Sequence, residues 1–458
     1  MNQNKKICVI GLGYIGLPTA ALLANRGYDV HGVDVVKSTV NTINQGKIHI
    51  VEPELDTFVK SAVNSGKLKA SLKPDFADVF IIAVPTPFHS GYVPNVDYVV
   101  SATKSIAPYI QEGNIVILES TSPVGTTELV EKTLKEENID TSKLYIAHCP
   151  ERVLPGKIMK ELVENDRIVG GLTQEATSKT VEFYNTFVSG EVLSTDARTA
   201  EMTKLTENSF RDTNIAFANE LSMLCDKFDI NVWELISLAN RHPRVNILQP
   251  GAGVGGHCIA VDPWFIVHAG GETAKMIRTA REINTYKTEW VIEKIKNAAL
   301  KFEAQNGRKA KVACMGLAFK PDIDDLRESP ALYITRKLKS DGIDILAVEP
   351  NIKSHNDLHY FGGGASFAYS STLFGKPAMY NISLMVDGSE KQIESWKATC
   401  SALLIPKKTT TTTLAAGLSL NYDATALAPV IPILSWQQKL SRKWSLIAIL
   451  PQRISLLN

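Results

Sequence analysis

Cysteine is scarce in this 458-residue chain, and the six that occur are scattered at Cys8, Cys149, Cys225, Cys258, Cys314 and Cys400. No CxxC pair is present, so neither a zinc site nor a disulfide framework is suggested, and no metal is expected. An excess of either charge is lacking as well: 49 basic residues stand against 48 acidic ones. A net charge of +1 provides no global field for nucleic acid. A charged start followed by an apolar run is missing, because MNQNKK leads at once into a strand-like segment and a glycine loop. A cytoplasmic protein is therefore expected. The one long apolar stretch, LAAGLSLNYDATALAPVIPILS, is broken by Asp423, Pro429 and Pro432, so no membrane span is read there. What remains is the composition of a soluble globular protein, 44% hydrophobic and 21% charged, with length enough for two or three domains.

The segment KKICVIGLGYIGLPTAALLANRGYDVHGVD reads as strand, tight loop, helix and strand. Gly11 permits the turn, Gly13 lets a pyrophosphate approach the backbone, and Gly16 lets helix and strand pack closely. Asp34 ends the second strand at the spacing of a dinucleotide fingerprint, where its carboxylate accepts from a ribose 2′-hydroxyl and repels a 2′-phosphate. NAD, rather than NADP, is the expected cofactor.

Further strand-like runs follow: DVFIIAVPTP, GNIVILEST and LYIAHCPE. Near-continuous apolar strands alternating with helices imply a parallel sheet covered on both faces. Ligands of such sheets sit beyond the carboxyl ends of the strands. Thr86, Thr121 and Glu151 fall at or just past such ends, and as a set they are site candidates.

In TAEMTKLTENSFRDTNIAFANELSMLCDKF the apolar positions recur at helical spacing, and Lys204, Asn208 and Arg211 project from one face. A solvated stripe is the ordinary reading of such a run, but Asn208 is a poor choice for an exposed helix interior. His242, Arg244 and Asn246 precede the glycine loop GAGVGGHCIAVDP, which suits a phosphate-bearing substrate. Cys258 leaves that loop as a nucleophile, a metal ligand or a small apolar filler, whereas Cys8 and Cys314 lie in apolar strands and read as buried hydrophobes. A second strand–loop–helix–strand unit begins at RKAKVACMGLAFK; its loop lacks the later glycines, although Lys320 and Arg327 are suited to phosphate. After about residue 350 the alternating pattern stops, and a threonine-rich tail follows in which Asp423 is the only acid from residue 401 onward.

In order along the chain, GLGYIG, IAVPTPF, ESTSPVGTTE, CPERVLPG, TAEMTKLTENSFRD, ANRHPRVNILQPGAGVGGHCIAVDP and GLAFKPDIDDLRESP resemble the nucleotide-sugar 6-dehydrogenases. CPERVLPG and NRHPRVN resemble the N-acetylhexosamine branch more than the UDP-glucose branch. The resemblance runs from residue 5 to about residue 350. It implies an α/β chain with an N-terminal Rossmann domain (1–198), a central all-helical domain for catalysis and dimerisation (199–303) and a C-terminal Rossmann-like, UDP-sugar-binding domain (304–458). That last domain is altered after about 350, where Gly388 stands in place of a usual histidine.

The implied activity is oxidation of a primary alcohol of a UDP-sugar to a carboxylate, with NAD, through a cysteine thiohemiacetal and thioester, for surface polysaccharide synthesis. Cys258 is then the nucleophile; Lys204 and Asn208 stabilise oxyanions, Asp262 assists proton transfer, and Glu151 and Thr121 position water. Tyr14, Ile15, Asp34, Thr86, Thr127 and Arg327 match cofactor contacts beside Gly11, Gly13 and Gly16. Arg152, Val153, Arg211, His242, Arg244, Gly255, Phe319 and Lys320 match substrate contacts, as do Lys204 and Asn208. A homo-oligomer is implied, in which Lys320 and Arg327 serve a neighbouring subunit. UDP-glucose or UDP-N-acetylglucosamine are alternative substrates, and an inactive NAD-binding protein is the alternative that the altered tail raises.

Overall fold

A computed structural model of the chain describes residues 5–50, 52–154, 156–256, 258–320 and 325–350, together with the backbone of seven strands between 361 and 451. Two compact units are formed, Met1–Ile295 with Arg327–Pro330, and Lys296–Leu326 with Ala331–Asn458. The first unit takes in the segment expected as the dinucleotide domain and residues 199–295 of the one expected as helical, whose residues 296–303 fall in the second unit.

The first unit begins with β1 (Lys6–Ile10), α1 (Gly16–Asn25), β2 (Asp29–Val33), α2 (Lys37–Asn44), α3 (Leu55–Asn64), β3 (Leu68–Ser71) and β4 (Val79–Ile82). A small hairpin, β5 (Phe88–His89) and β6 (Val93–Pro94), leads to α4 (Asp97–Ile106), β7 (Ile115–Leu118), α5 (Thr126–Glu136) and β8 (Tyr145–His148). Then come α6 (Ile158–Glu164), β9 (Arg167–Gly171), α7 (Gln174–Tyr184) and β10 (Val192–Asp196). The sheet runs β10-β9-β8-β7-β4-β1-β2-β3.

Alternate residues of one strand feed different cores. Ile7 and Val9 join the cluster under α1, α3, α6 and α7, whereas Cys8 and Ile10 join the cluster under α4 and α5. This two-sided burial is why the strands are continuous apolar runs. Cys8 is the expected buried hydrophobe, and desolvation pushes its thiol up to about 12. In α1, Pro18 costs no ladder bond because first-turn N–H groups have no intrahelical partner.

The sheet differs from the expected all-parallel one, because β9 runs antiparallel to β8. Residues 149–166 return at the carboxyl rim with only the seven-residue α6 between the strands, instead of crossing a sheet face. That return leaves the loop carrying Glu151, Arg152 and Val153 on the rim where ligands bind.

The helical part consists of α8 (Ala197–Phe228), α9 (Val232–Ala239), α10 (Asp262–Gly270) and α11 (Lys275–Asn306). Asp196 starts α8 by accepting from the Thr199 N–H at 2.9 Å.

In the second unit, β11 (Lys311–Met315), α12 (Pro330–Ser340) and β12 (Asp344–Val348) make one parallel strand–helix–strand unit. Its strands alternate exposed and half-buried residues, and Met315 is 78% exposed. Cys314 is consequently half-buried rather than buried as expected. Beyond it the backbone forms an antiparallel sheet, β13 (Phe361–Leu373), β14 (Lys376–Ser389), β15 (Gln392–Lys408), β16 (Thr412–Asp423), β17 (Ala426–Leu427), β18 (Ile431–Lys439) and β19 (Ser445–Pro451). The strand–helix alternation therefore ends where the sequence pattern does. Among the described residues, no helix is long and apolar enough to cross a membrane.

Candidate functional site

The glycines of the first loop divide the work as expected. Gly11 has φ +92°, and a Cβ there would lie 2.5 Å from the Ala83 carbonyl oxygen. A Cβ on Gly16 would lie 1.8 Å from the Gly11 carbonyl oxygen, whereas one on Gly13 would meet nothing within 4 Å. The loop is thus closed behind and open in front. At the start of α1, Ile15 supplies no side-chain cap and the first turn carries no acid, so its N–H groups suit a pyrophosphate. Asp34 is fixed just past β2, its two oxygens accepting from the Leu12 N–H at 3.1 Å and the Val36 N–H at 2.9 Å. This set fits NAD. Tyr14 lies under the guanidinium of Arg327, 5.8 Å from the ring centre.

At the strand ends, Thr86 donates its hydroxyl to the Thr121 carbonyl at 2.5 Å. Glu151 is buried and turned inward: one oxygen accepts from the Arg152 N–H at 2.7 Å and the other from Arg167 at 2.6 Å. Thr127, expected against the cofactor, is fully buried and gives its hydroxyl to Glu201 at 2.6 Å. Glu201 also accepts from the Gly125 and Thr127 N–H groups, so it ties α8 to the start of α5.

Cys258 stands in the turn that becomes α10, where its carbonyl accepts from the Val261 N–H at 3.1 Å and the Asp262 N–H at 2.8 Å. Its side chain is reached by solvent, yet dense protein around the sulfur desolvates a thiolate and raises the thiol pKa. The charge of Asp262 raises it further, while Lys204, Arg211 and Arg327 pull it down. Three cations thus bear on one sulfur.

Asp262 is buried, which lifts its carboxyl to about 7 against the opposing hydrogen bond from Asn208 and the charge of Lys204. The Asn208 amide donates to Asp262 Oδ2 at 2.6 Å. The face of α8 that carries Lys204, Asn208 and Arg211 therefore converges on the Cys258 turn. A thiol beside a carboxyl that titrates near neutrality, with amide and ammonium donors at hand, is equipped for addition to a carbonyl and for proton transfer.

Other candidates are placed more loosely. Arg152 pairs with Glu207 at 2.7 Å, joining the rim loop to α8, and Val153 packs on the sheet core. His242 and Arg244 are exposed on the segment before the glycine loop, and Gly255 is half-buried within it. Phe319 and Lys320 follow β11 in the second unit. There Glu349, just past β12, accepts from the Leu317 and Ala318 N–H groups, much as Asp34 accepts from Leu12.

Several buried polar residues around the site were not singled out in the sequence: Asp212, Asn219, Arg281, Asn284 and Thr288 between α8 and α11, and Glu119 with Arg167 behind Glu151. Arg281, Asn284 and Thr288 share one helix face, a signal that also fits a solvated stripe.

Three parts of one family match this chain. The NAD binding domain of the UDP-glucose/GDP-mannose dehydrogenase family matches residues 5–188, its central domain 198–286 and its UDP binding domain 313–394. The last match extends beyond residue 350 and takes in ISLMVDGSEKQI. A UDP-N-acetyl-D-mannosamine dehydrogenase of Campylobacter jejuni is 62% identical over 364 residues, 77% of this chain and 88% of that protein. An NDP-N-acetyl-D-galactosaminuronic acid dehydrogenase of Ralstonia solanacearum is 55% identical, covering 76% of this chain and 84% of its own length. Among solved structures, a UDP-D-ManNAc dehydrogenase of Pyrococcus horikoshii superposes with a TM-score of 0.72 at 42% identity, over 76% of this chain and 84% of that one. With the dinucleotide loop and the Cys258 cluster in place, this chain belongs to the UDP-glucose/GDP-mannose dehydrogenase family and is an NAD-dependent nucleotide-sugar dehydrogenase.

Proposed function

We propose that this chain oxidises C6 of UDP-N-acetyl-D-mannosamine to the uronic acid, with Cys258 as the covalent nucleophile, to supply a surface polysaccharide. The observation that carries the chemistry is the convergence of Asp262, Asn208 and Lys204 on the Cys258 turn. The substrate is supported by the similarity to the Campylobacter jejuni and Pyrococcus horikoshii proteins.

Gly11, Gly13, Gly16, Asp34 and the start of α1 would hold NAD, which would supply the hydride acceptor. Asp262 as carboxylate takes the proton of the C6 hydroxyl as the aldehyde forms. Once Asp262 has passed that proton to solvent, it takes the Cys258 thiol proton as the sulfur adds to the aldehyde carbon, and Lys204 with Asn208 stabilises the oxyanion of the thiohemiacetal. Oxidation of that adduct leaves a thioester, and water cleaves it to the carboxylate and the free thiol. Thr121 at the rim orients that water, and Glu151, turned inward with both oxygens engaged, holds the rim loop behind it. Arg152, Arg211, His242 and Arg244 bind the sugar nucleotide.

NADH formation by the purified chain with UDP-N-acetylmannosamine, UDP-N-acetylgalactosamine, UDP-N-acetylglucosamine and UDP-glucose tests the reading. Highest kcat/KM with the mannosamine sugar is expected; preference for another sugar would overturn the substrate.

A further inference from the structure

The segment before Cys258 has glycines at 251, 253, 255 and 256, of which Gly253 and Gly256 stand at φ +136° and +86°. Such a segment has little preference of its own for one shape. It is nevertheless tied at successive points. The Gly251 N–H donates to Asn219 at 2.8 Å, and the Ala252 carbonyl accepts from Thr288 at 2.9 Å. The Gly256 N–H donates to the Arg327 carbonyl at 3.1 Å, and the Ile259 carbonyl accepts from Arg281 at 3.3 Å. A Cβ on Gly253 would come within 2.3 Å of the Thr288 hydroxyl, so the segment lies directly on α11.

The last of these ties adjoins the thiol. Arg281 is 4% exposed and is held by Asp212 Oδ1 at 2.8 Å. Asn284 donates to that same oxygen at 2.7 Å and to the Asp212 carbonyl at 3.0 Å. Asn219 donates to Asn284 at 2.8 Å, which closes the network back onto Gly251. A buried ion pair adds little net stability, because desolvation offsets its attraction. Burial raises the Asp212 carboxyl to about 6, against the pull of Arg281, and the same desolvation lowers Arg281. What the pair does provide is a fixed donor at one carbonyl.

We infer that Arg281 is a positioning residue for Cys258: held by Asp212, which Asn284 also engages, it fixes the Ile259–Ala260 peptide, one residue beyond the cysteine, and thereby the turn that sets the direction of the thiol. The inference rests on reading Cys258 as the nucleophile. Arg281 touches neither substrate nor cofactor in this role.

The test compares Arg281→Lys and Asp212→Asn with the unaltered chain in three measurements. These are the rate at which iodoacetamide alkylates the Cys258 peptide, kcat and KM for UDP-N-acetylmannosamine, and NAD affinity with Tm. Misplacing a nucleophile by about an ångström costs up to about 100-fold in rate. Arg281→Lys is therefore expected to lower kcat about 10- to 100-fold and to change the alkylation rate, with KM and NAD affinity nearly unmoved. Asp212→Asn leaves Arg281 an acceptor and should lose less. Unchanged kcat and alkylation in a folded Arg281→Lys would overturn the inference. Joint loss of NAD binding and Tm in both variants would overturn it too, by assigning the network to stability. Failure of the underlying reading looks different: the unaltered chain would stay active after alkylation of Cys258.

Discussion

Replacing Asn208 by leucine should move the acidic limb of the pH–rate profile rather than simply lower the rate. Asn208 is 3% exposed and donates at 2.6 Å to the carboxyl whose ionised form is the proposed base. Burial lifts Asp262 to about 7, and the Asn208 bond opposes that rise. A hydrogen bond to a charged group is worth about 1.5–3 kcal/mol, and one pH unit corresponds to about 1.36 kcal/mol. The bond favours the charged form, so its loss favours the protonated one, and the limb should climb by about one to two pH units. At neutral pH the ionised fraction would fall from about one half to between about one in ten and one in a hundred. kcat/KM from NADH formation, measured from mildly acidic to alkaline pH, reads this directly. The variant should lose about 5- to 50-fold near neutrality through this shift and recover that part in alkali, which leaves a loss at every pH from the missing oxyanion donor. An equal loss at every pH, with the limb where it was, would refute the claim that Asn208 tunes Asp262.

Cys258→Ser should abolish net formation of the acid while NAD binding, followed by fluorescence or calorimetry, persists. NAD should be preferred to NADP by at least about tenfold in kcat/KM, because Asp34 presents charge where a 2′-phosphate would sit; equal use would mean the loop has been misread. Arg167→Met should cost about 3–5 kcal/mol, lowering Tm by at least about 5 °C, because it strands Glu151 in the interior; an unchanged Tm would show the pair is dispensable. His148 is fully buried and desolvation pushes it down to about 3, so below its ordinary value of 6.5 the unfolded chain gains a proton that the native one does not. Stability should therefore fall as pH drops from 6.5 toward 3, and His148→Leu should flatten that slope in thermal melts.

The parts of the site legible in the sequence are those built from local spacing. The loop from Gly11 to Gly16 and the acid at Asp34 are one strand–loop–helix–strand unit, and Lys204, Asn208 and Arg211 share one helix face. Cys258 and Asp262 lie a single turn apart, which the backbone bond between them bears out. The parts that escaped depend on tertiary partners. Nothing in α11 by itself says that Arg281 and Asn284 face Asp212 on α8, because a polar stripe reads alike whether water or another helix covers it. The reversal of β9 was hidden for a related reason: residues 149–166 are long enough for a crossover, and only the placement of α6 at the rim makes them a return. Thr127 matched a cofactor motif, yet its hydroxyl is taken by Glu201, a partner 74 residues away. The side chains after residue 350 lie outside the described residues.

A four-electron oxidation carried through a bond to Cys258 fixes the stoichiometry of the reaction. With limiting UDP-N-acetylmannosamine and excess NAD, two NADH per sugar and the uronic acid as sole product are expected. In the same assay the Cys258→Ser chain should form none of the acid. One NADH per sugar with release of an aldehyde, or full conversion to the acid by Cys258→Ser, would contradict it.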